Sequence, residues 1–387
     1  MPELKIKFVG IKDLAEKQGI EFVPYPLTFF DLNKFQLNSR LIHAFKPALA
    51  VLNSGWIIDG NVVVTDEGMM LGEGFTWHTS GYSPQFRSQN EKLNVSASTN
   101  TLSITGFKDE KGECDIIREI SKEEITNSFF LSGFDNLSHF MMEIAPKTLL
   151  FSKILEQAHN IKNVAVCSLV PRKWIDYTIE TAESVNSKDL DLTVKQFNPD
   201  KAVRFKNIIV ITSITHRGSN NEIRMSVKEA KSFSQQMCKN ATFSSNKNPY
   251  ILYLSRKKAS HRRTVNQDNL VKIVKKNFPK FEFILENEIH KLGMKDQAML
   301  IYNASLIIEE AGGSTGFTNN LLNDHVPYVC IISTQRENTG GKLYLAGLDK
   351  YASWILGKPV GKLTESTDID NDIQVEENDF EEMLVRL

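Results

Sequence analysis

The sequence predicts an α/β protein: a β-rich N-terminal segment followed by two halves in which strands and helices alternate. Three observations predict it. Short Val/Ile-rich runs broken by Gly-containing turns fill residues 48–75. Beyond about residue 125, apolar runs of strand length alternate with stretches of helical periodicity, the pattern of a parallel sheet covered by helices. Finally, 387 residues with 41% hydrophobic and 24% charged content are enough for two domains that each bury a core.

Each element has its own signal. ALAVLNSGWIIDGNVVVTDEGMMLGEGF carries Asn-Ser-Gly, Asp-Gly and Glu-Gly breaks, which are hairpin turns, and KLNVSASTNTLSITGF continues the pattern. NSFFL reads as a strand. SHFMMEIAPKTLLFSKILEQA reads as helix, with a break at Pro146, whose ring nitrogen cannot donate. NVAVCSLV is a strand, RKWIDYTIETAESV a helix, LTVKQF and NIIVIT strands, and NEIRMSVKEAKSFSQQMCKN a helix. ATFSSNKNP, polar and ending in Pro, is the connection. The second half alternates ILYLS, NQDNLVKIVKKNF, FEFIL, GMKDQAMLIYNA, SLIIE, GFTNNLLN and VPYVCII, the signature of a doubly wound Rossmann-like domain. The expected domains are 1–240 (β-rich 1–110, Rossmann-like 125–240) and 241–364. Residues 365–387 read as a solvated acidic end, with VEENDFEEMLVRL able to dock as an amphipathic helix.

Composition excludes several classes. Lys+Arg 46 against Asp+Glu 47 leaves no cationic surplus for nucleic acid. Cys114, Cys167, Cys238 and Cys330 form no close pairs, which argues against a cysteine zinc site and fits a reducing compartment. The start MPELKIKFVGIKDL lacks an apolar core of signal-peptide length, and no apolar run reaches the ~18 residues of a span. The expectation is a soluble cytoplasmic chain, able to work at the inner face of a membrane.

In open α/β sheets, ligands bind where strands exit. The first exit of the second half is Leu254-Ser255-Arg256-Lys257-Lys258-Ala259-Ser260-His261-Arg262-Arg263. Guanidinium forks match phosphate oxygens and Lys adds point charge, so the loop suits a diphosphate; the plain alternative is a solvated loop or one paired with the acidic tail. The third exit is Ile308-Glu309-Glu310-Ala311-Gly312-Gly313-Ser314-Thr315-Gly316-Phe317-Thr318-Asn319. Its glycines allow close backbone approach, and Ser314 or Thr315 can serve as an N-cap. It matches neither the dinucleotide nor the P-loop fingerprint. Glu309 or Glu310 would accept from ribose or sugar hydroxyls, or pair with the basic loop. In the first half, Ser132-Gly133-Phe134-Asp135-Asn136-Leu137-Ser138-His139 leads into a helix. His139 is a candidate general base, Asp135 could orient it or act itself, and Glu143, one turn on, could be the base instead. A His at a helix start is otherwise structural.

These sites, in this order, resemble glycosyltransferase family 61, whose bacterial members are linked to capsular and exopolysaccharide synthesis. The resemblance rests on Asn136-Leu137-Ser138-His139-Phe140 with Glu143 and Pro146; on Tyr253-Leu254-Ser255-Arg256 with Arg262, Arg263 and Asn266; on Gln297; and on Gly313-Ser314-Thr315-Gly316-Phe317-Thr318-Asn319. It covers roughly residues 125–332. Two positions depart from the pattern: Gly313 stands where the family has a loop His, and Leu137-Ser138 where it has an aromatic pair. No role for that His carries over.

The resemblance implies a GT-B-like architecture, two Rossmann-like domains facing a cleft, and an inverting transferase with a nucleotide-sugar donor and a glycan or lipid-linked glycan acceptor. Ser255, Arg256, Arg262, Arg263, Gln297, Glu310, Gly312, Gly313, Ser314, Thr315 and Asn319 are the expected donor residues; His139, Asp135 and Glu143 are the catalytic candidates. No cofactor or metal is expected. The one D-x-D, Asp368-Ile369-Asp370, lies in the acidic tail and reads as solvated. Two other readings stay open: a nucleotide-sugar epimerase, which would release no free nucleoside diphosphate, and a non-catalytic polysaccharide-assembly protein keeping the transferase fold.

Overall fold

The protein is described from a computed structural model. It describes residues 21–23, 42–44, 47–68, 70–71, 93–109, 112–131, 136–186, 189–211, 213–217, 223–242, 248–323, 325–333, 340–350, 352–360 and 371–387. Asp135, and Asp368 to Asp370, lie outside the described residues. The chain divides into two compact units, Met1–Gly218 with Arg224–Ala230, and Ser219–Ile223 with Lys231–Leu387. The boundary read at 240/241 therefore moves into the helix Val227–Ala241, most of whose length belongs to the second unit.

The strands of the first unit are β1 (Glu21–Val23), β2 (Ile42–Ala44), β3 (Ala48–Ile58), β4 (Val62–Thr65), β5 (Met70–Leu71), β6 (Asn94–Ala97), β7 (Thr101–Asp109), β8 (Gly112–Phe130), β9 (Asn163–Cys167), β10 (Thr193–Phe197), β11 (Ala202–Ile211), β12 (Thr215–Arg217) and β13 (Ile223–Met225). One large sheet runs β10-β9-β8-β11-β3-β4-β5. Strands β10, β9, β8 and β11 are parallel to one another, while β11 pairs antiparallel with β3, and β3 with β4. The β-rich segment and the parallel strands, read as separate parts of the first domain, thus share one sheet, because β8 and β11 are long enough to serve both.

That sheet folds over itself. By register, Phe197 lies level with Cys167 and Ala202 with Ile120. On a flat sheet those ends would be about 40 Å apart. The link joining them can span at most about 18 Å. The bend falls at Asn127 (φ 49°) and Asn207 (φ 56°), left-handed positions that Asn tolerates, with Asn207 Nδ2 donating to Asn127 Oδ1 at 3.3 Å. In consequence Cys167 and Phe197 pack in one core with Ile57, Val63 and Val203.

The helical passage after β8 changes pitch three times: α1 (Leu137–His139), a π-turn (Phe140–Ile144), a 3-10 stretch (Ala145–Leu150) and α2 (Phe151–Leu155). Pro146 is the cause, since it cannot donate to the Met142 carbonyl four residues back. Thr215 Oγ1 donates to that carbonyl instead, at 3.0 Å, and Ile214 N donates to the Glu143 carbonyl at 2.8 Å. Two further helices follow, α3 (Arg172–Asn186) and α4 (Val227–Ala241).

The second unit alternates β14 (Tyr250–Leu254), α5 (Gln267–Asn277), β15 (Glu282–Glu286), α6 (Met294–Tyr302), β16 (Leu306–Glu310), α7 (Thr315–Leu321), β17 (Tyr328–Ser333), α8 (Gly340–Gly347) and β18 (Ser353–Pro359). Its sheet order, β15-β14-β16-β17-β18, is the doubly wound 2-1-3-4-5 order, with all these neighbours parallel. A short antiparallel strand, β19 (Ile373–Gln374), closes the far edge. The acidic end is not all solvated: α9 (Glu377–Val385) packs on α5 and buries Phe380 and Leu384 in the core with Leu270 and Val274.

Candidate functional site

In a 2-1-3-4-5 sheet the connections leave β14 and β16 on opposite faces, so the crevice opens between their carboxyl ends. These are the two exits with unusual sequences. Leu254 and Glu309 are register partners, which sets the loops after them side by side.

Glu310 staples the exits together. It is 2% exposed; Tyr253 Oη donates to its Oε1 at 3.0 Å, and the Arg256 backbone N donates to its Oε2 at 2.9 Å. Burial pushes its carboxyl up, with the Arg256 N–H opposing. The Tyr253 hydroxyl is raised too, by burial and then by Glu310. Both oxygens of Glu310, expected at the donor, accept from the start of the basic loop. Glu309 points to the other face, as strand alternation requires. Fully buried, it accepts from Ser314 Oγ (2.8 Å), Thr315 Oγ1 (3.2 Å) and Tyr328 Oη (2.9 Å). Burial holds it above the ordinary carboxylate range despite those donors. Thr315 Oγ1 also accepts from Gly312 N at 2.8 Å. The Ser314 and Thr315 side chains, expected at the donor or as caps, are turned inward to shape the glycine turn.

The two loops meet where Arg256 reaches Gly312. A Cβ on Gly312 would lie 1.9 Å from Arg256 Nη1 and 3.0 Å from its Cζ, so the guanidinium rests on the bare Cα of Gly312. Arg256 Nη2 also donates to the His261 carbonyl at 3.1 Å, bracing its own loop. Next to it, a Cβ on Gly313 would meet nothing within 4 Å among the described residues. Ser255 Oγ donates to Gln267 Oε1 at 2.6 Å and accepts from Lys257 N at 3.0 Å.

The other loop cations divide. Lys257 pairs with Asp268 and Lys258 with Glu288, which Lys258 and Lys291 together hold down to about 2. Arg263, expected at the donor, is turned away to Asp372: its Nε and Nη2 reach that carboxylate at 3.0 and 2.6 Å. Arg262 has φ 59° and lies within 3.4 Å of His261 Nε2 through its Nη2. Gln297 and Asn319, expected at the donor, are 1% and 0% exposed, buried inside the unit. Gln297 Nε2 donates to the Leu292 carbonyl at 2.9 Å. Asn319 Nδ2 and Oδ1 have no hydrogen-bond partner among the described residues.

In the first unit, Asn136 caps α1, its Oδ1 accepting from Ser138 N (3.0 Å) and His139 N (3.4 Å). His139 Nδ1 meets Glu143 Oε1 at 2.5 Å, with side chains 16% and 7% exposed. The dyad sits where the helix changes pitch, and π-turns recur at functional sites. Lys147, one turn further, is buried at 1% exposure, which composition could not have announced. Sequence reading also missed Gln267 and Asp372, whose partners lie 12 and 109 residues away. Among the described residues, no group of three or more His, Cys, Asp or Glu side chains could hold a metal ion, and no helix is long and apolar enough to cross a membrane.

Comparison with known proteins adds a family. The model of glycosyltransferase 61 matches residues 137–319, from the start of α1 to within α7. No curated protein matches the chain. Among solved structures, the dodecameric iron-containing heptosyltransferase TibC in complex with ADP-D-β-D-heptose aligns at 10% identity and TM-score 0.28, over 59% of this chain and 64% of that one. The bacterial iron-containing dodecameric glycosyltransferase TibC from enterotoxigenic E. coli H10407 aligns at 9% identity and TM-score 0.28, over 71% and 84%. The chain thus spans less than two thirds of the first of these, and likeness at such scores carries no argument.

Proposed function

We propose, from the premise that this chain belongs to glycosyltransferase family 61, that it moves a sugar from a nucleotide-sugar donor to a glycan hydroxyl, with inversion and without a metal, in capsular or surface polysaccharide synthesis. The observation that carries the reading is the seat of the Arg256 guanidinium on Gly312, at the strand exits where a doubly wound sheet binds its ligand. The reading takes the fold as GT-B-like in that each unit carries parallel strands joined by helices.

The reaction needs a clamp for the leaving diphosphate and a base for the acceptor. In this reading Arg256 and Arg262 neutralise charge as the bond between the anomeric carbon and the phosphate oxygen breaks, its electron pair leaving with the nucleoside diphosphate. In the same reading His139, held through Nδ1 against Glu143 Oε1, accepts the hydroxyl proton as the acceptor oxygen bonds to the anomeric carbon. Attack opposite the leaving group inverts the centre. The acceptor is a glycan or lipid-linked glycan, which puts the work at the cytoplasmic face of a membrane.

Thermal-shift screening against UDP, GDP, CDP, CMP and their sugars tests the donor. A nucleotide hit, with free nucleoside diphosphate released in the presence of acceptor, is expected; no stabilisation by any of them would refute the reading. Activity is expected to survive EDTA, and loss restored by Mn²⁺ or Mg²⁺ would overturn metal independence.

A further inference from the structure

The loop between β14 and α5 is held in two different ways along its length. Its first half is fixed from within the sheet, by Glu310 on Arg256 N and by Arg256 on the His261 carbonyl. Its second half is held by the C-terminal end of the chain. Arg263 N donates to Asp372 Oδ1 at 2.8 Å, and the Arg263 guanidinium grips the same carboxylate. Ile373 N donates to the Arg263 carbonyl (2.8 Å), and Val265 N to the Ile373 carbonyl (2.9 Å), with Thr264 bridged to Ile373. The Asn266 side chain brackets Val375, donating to its carbonyl at 2.7 Å and accepting from its N at 3.1 Å. Ile373 and Val375 are buried beneath this seam, and α9 anchors the end of the chain beyond them.

Between these two supports lies Arg262, in the left-handed region at φ 59°. A non-glycine residue stays there only where its surroundings over-determine it. Arg263, the next residue, is fixed through its backbone N, its carbonyl and its side chain, all by Asp372 and Ile373. An acidic end that charge alone marks as solvent-facing therefore sets the backbone of a cationic loop.

We propose that Asp372, with the strand it leads into, is a positioning residue for the nucleotide donor: it holds Arg263 so that Arg262 and Arg256 present their guanidinium groups as one surface. This rests on the proposed donor reading. It also reassigns Arg263, from a phosphate contact to the loop's anchor.

The test compares Asp372→Asn, Asp372→Glu and Leu384→Ala in the full chain, reading melting temperature and the Kd of whichever nucleoside diphosphate the screen identifies. Asp372→Asn is expected to weaken binding on the order of tenfold or more, as displaced binding groups do, with little change in melting temperature because the pair is partly exposed. Asp372→Glu, which keeps the charge, is expected to restore part of the affinity. Leu384→Ala, which opens a cavity beneath α9 without touching Asp372 or Arg263, is expected to lower the melting temperature while keeping Kd. Wild-type affinity in Asp372→Asn overturns the inference, as does a loss of affinity in Leu384→Ala as large as in Asp372→Asn. Failure of the wild-type chain to bind any nucleotide would refute the donor reading itself.

Discussion

Gly312→Ala tests the central contact directly. The new Cβ would lie 1.9 Å from Arg256 Nη1, 3.0 Å from Cζ and 3.4 Å from Cδ. Ordinary contact requires the guanidinium nitrogen to retreat by roughly 1.5 Å. The obstructing atom is the tip of a flexible side chain, so the side chain can swing while the fold stays. Gly312 is not among the positive-φ residues, so alanine brings no backbone strain and stiffens the unfolded chain slightly. Melting temperature should therefore change little. Nucleotide affinity should not be spared, because a charged hydrogen bond contributes about 1.5–3 kcal/mol and its donor has moved. That corresponds to about 10- to 100-fold in Kd. Calorimetry on wild type, Gly312→Ala, Arg256→Ala and the double variant separates the causes. If the glycine acts through Arg256, it should add nothing in the Arg256→Ala background. Unchanged affinity in Gly312→Ala, or fully additive losses, would refute the reasoning.

The same geometry sets three further outcomes. His139→Ala should lower turnover by about 10²–10⁴-fold with donor Kd nearly unchanged, as for loss of a general base, and Glu143→Gln should lower it less; a raised Kd with normal turnover would make the dyad a binding or structural feature. Burial raises the Glu309 carboxyl above the 4.5 it has when unfolded, so the folded state binds its proton more tightly. Its stability contribution is full below that value and lost as pH rises through the folded pKa; Glu309→Gln should remove this pH dependence from the melting temperature, and an unaltered slope would contradict it. Asn319→Leu should stabilise the free protein by about 1–3 kcal/mol, the usual cost of an unmet buried amide; a lower melting temperature would show that something satisfies that amide.

Much of the second unit was legible because its signals are local. Tyr250–Leu254 and residues 306–308 are apolar runs bounded by polar breaks, and periodicity alone separates them from α5 and α6. Strand exits come from that alternation, so the basic loop and the glycine turn could be marked as one candidate site. Side-chain direction could not be read. Whether Arg263 faces an anion or Asp372 depends on a strand 109 residues later in the chain. The Glu309-Glu310 pair was legible as acidic, but not as two carboxylates on opposite faces with different partners. In the first unit, Pro146 announced a break, while the recruitment of Thr215 to the orphaned Met142 carbonyl was set by tertiary packing. The bend at Asn127 and Asn207 escaped for the same reason: single left-handed residues leave no periodic trace.

The two buried glutamates resolve a difficulty that the charge pattern alone raises. Adjacent acids at an anion-binding exit would repel a diphosphate if both stood ionised beside it. Their side chains instead leave the strand on opposite faces, each surrounded by donors: Tyr253 and the Arg256 backbone for Glu310, Ser314, Thr315 and Tyr328 for Glu309. Burial pushes both toward the neutral form, which weakens the repulsion they could exert. Their donors, meanwhile, are the groups that shape the two loops. Tyr253 and Arg256 N lock the start of the basic loop, while Ser314 and Thr315 lock the turn that leaves Gly312 bare for the guanidinium. The acids thus act on the candidate site through backbone geometry, and the cations that remain at the crevice set its charge.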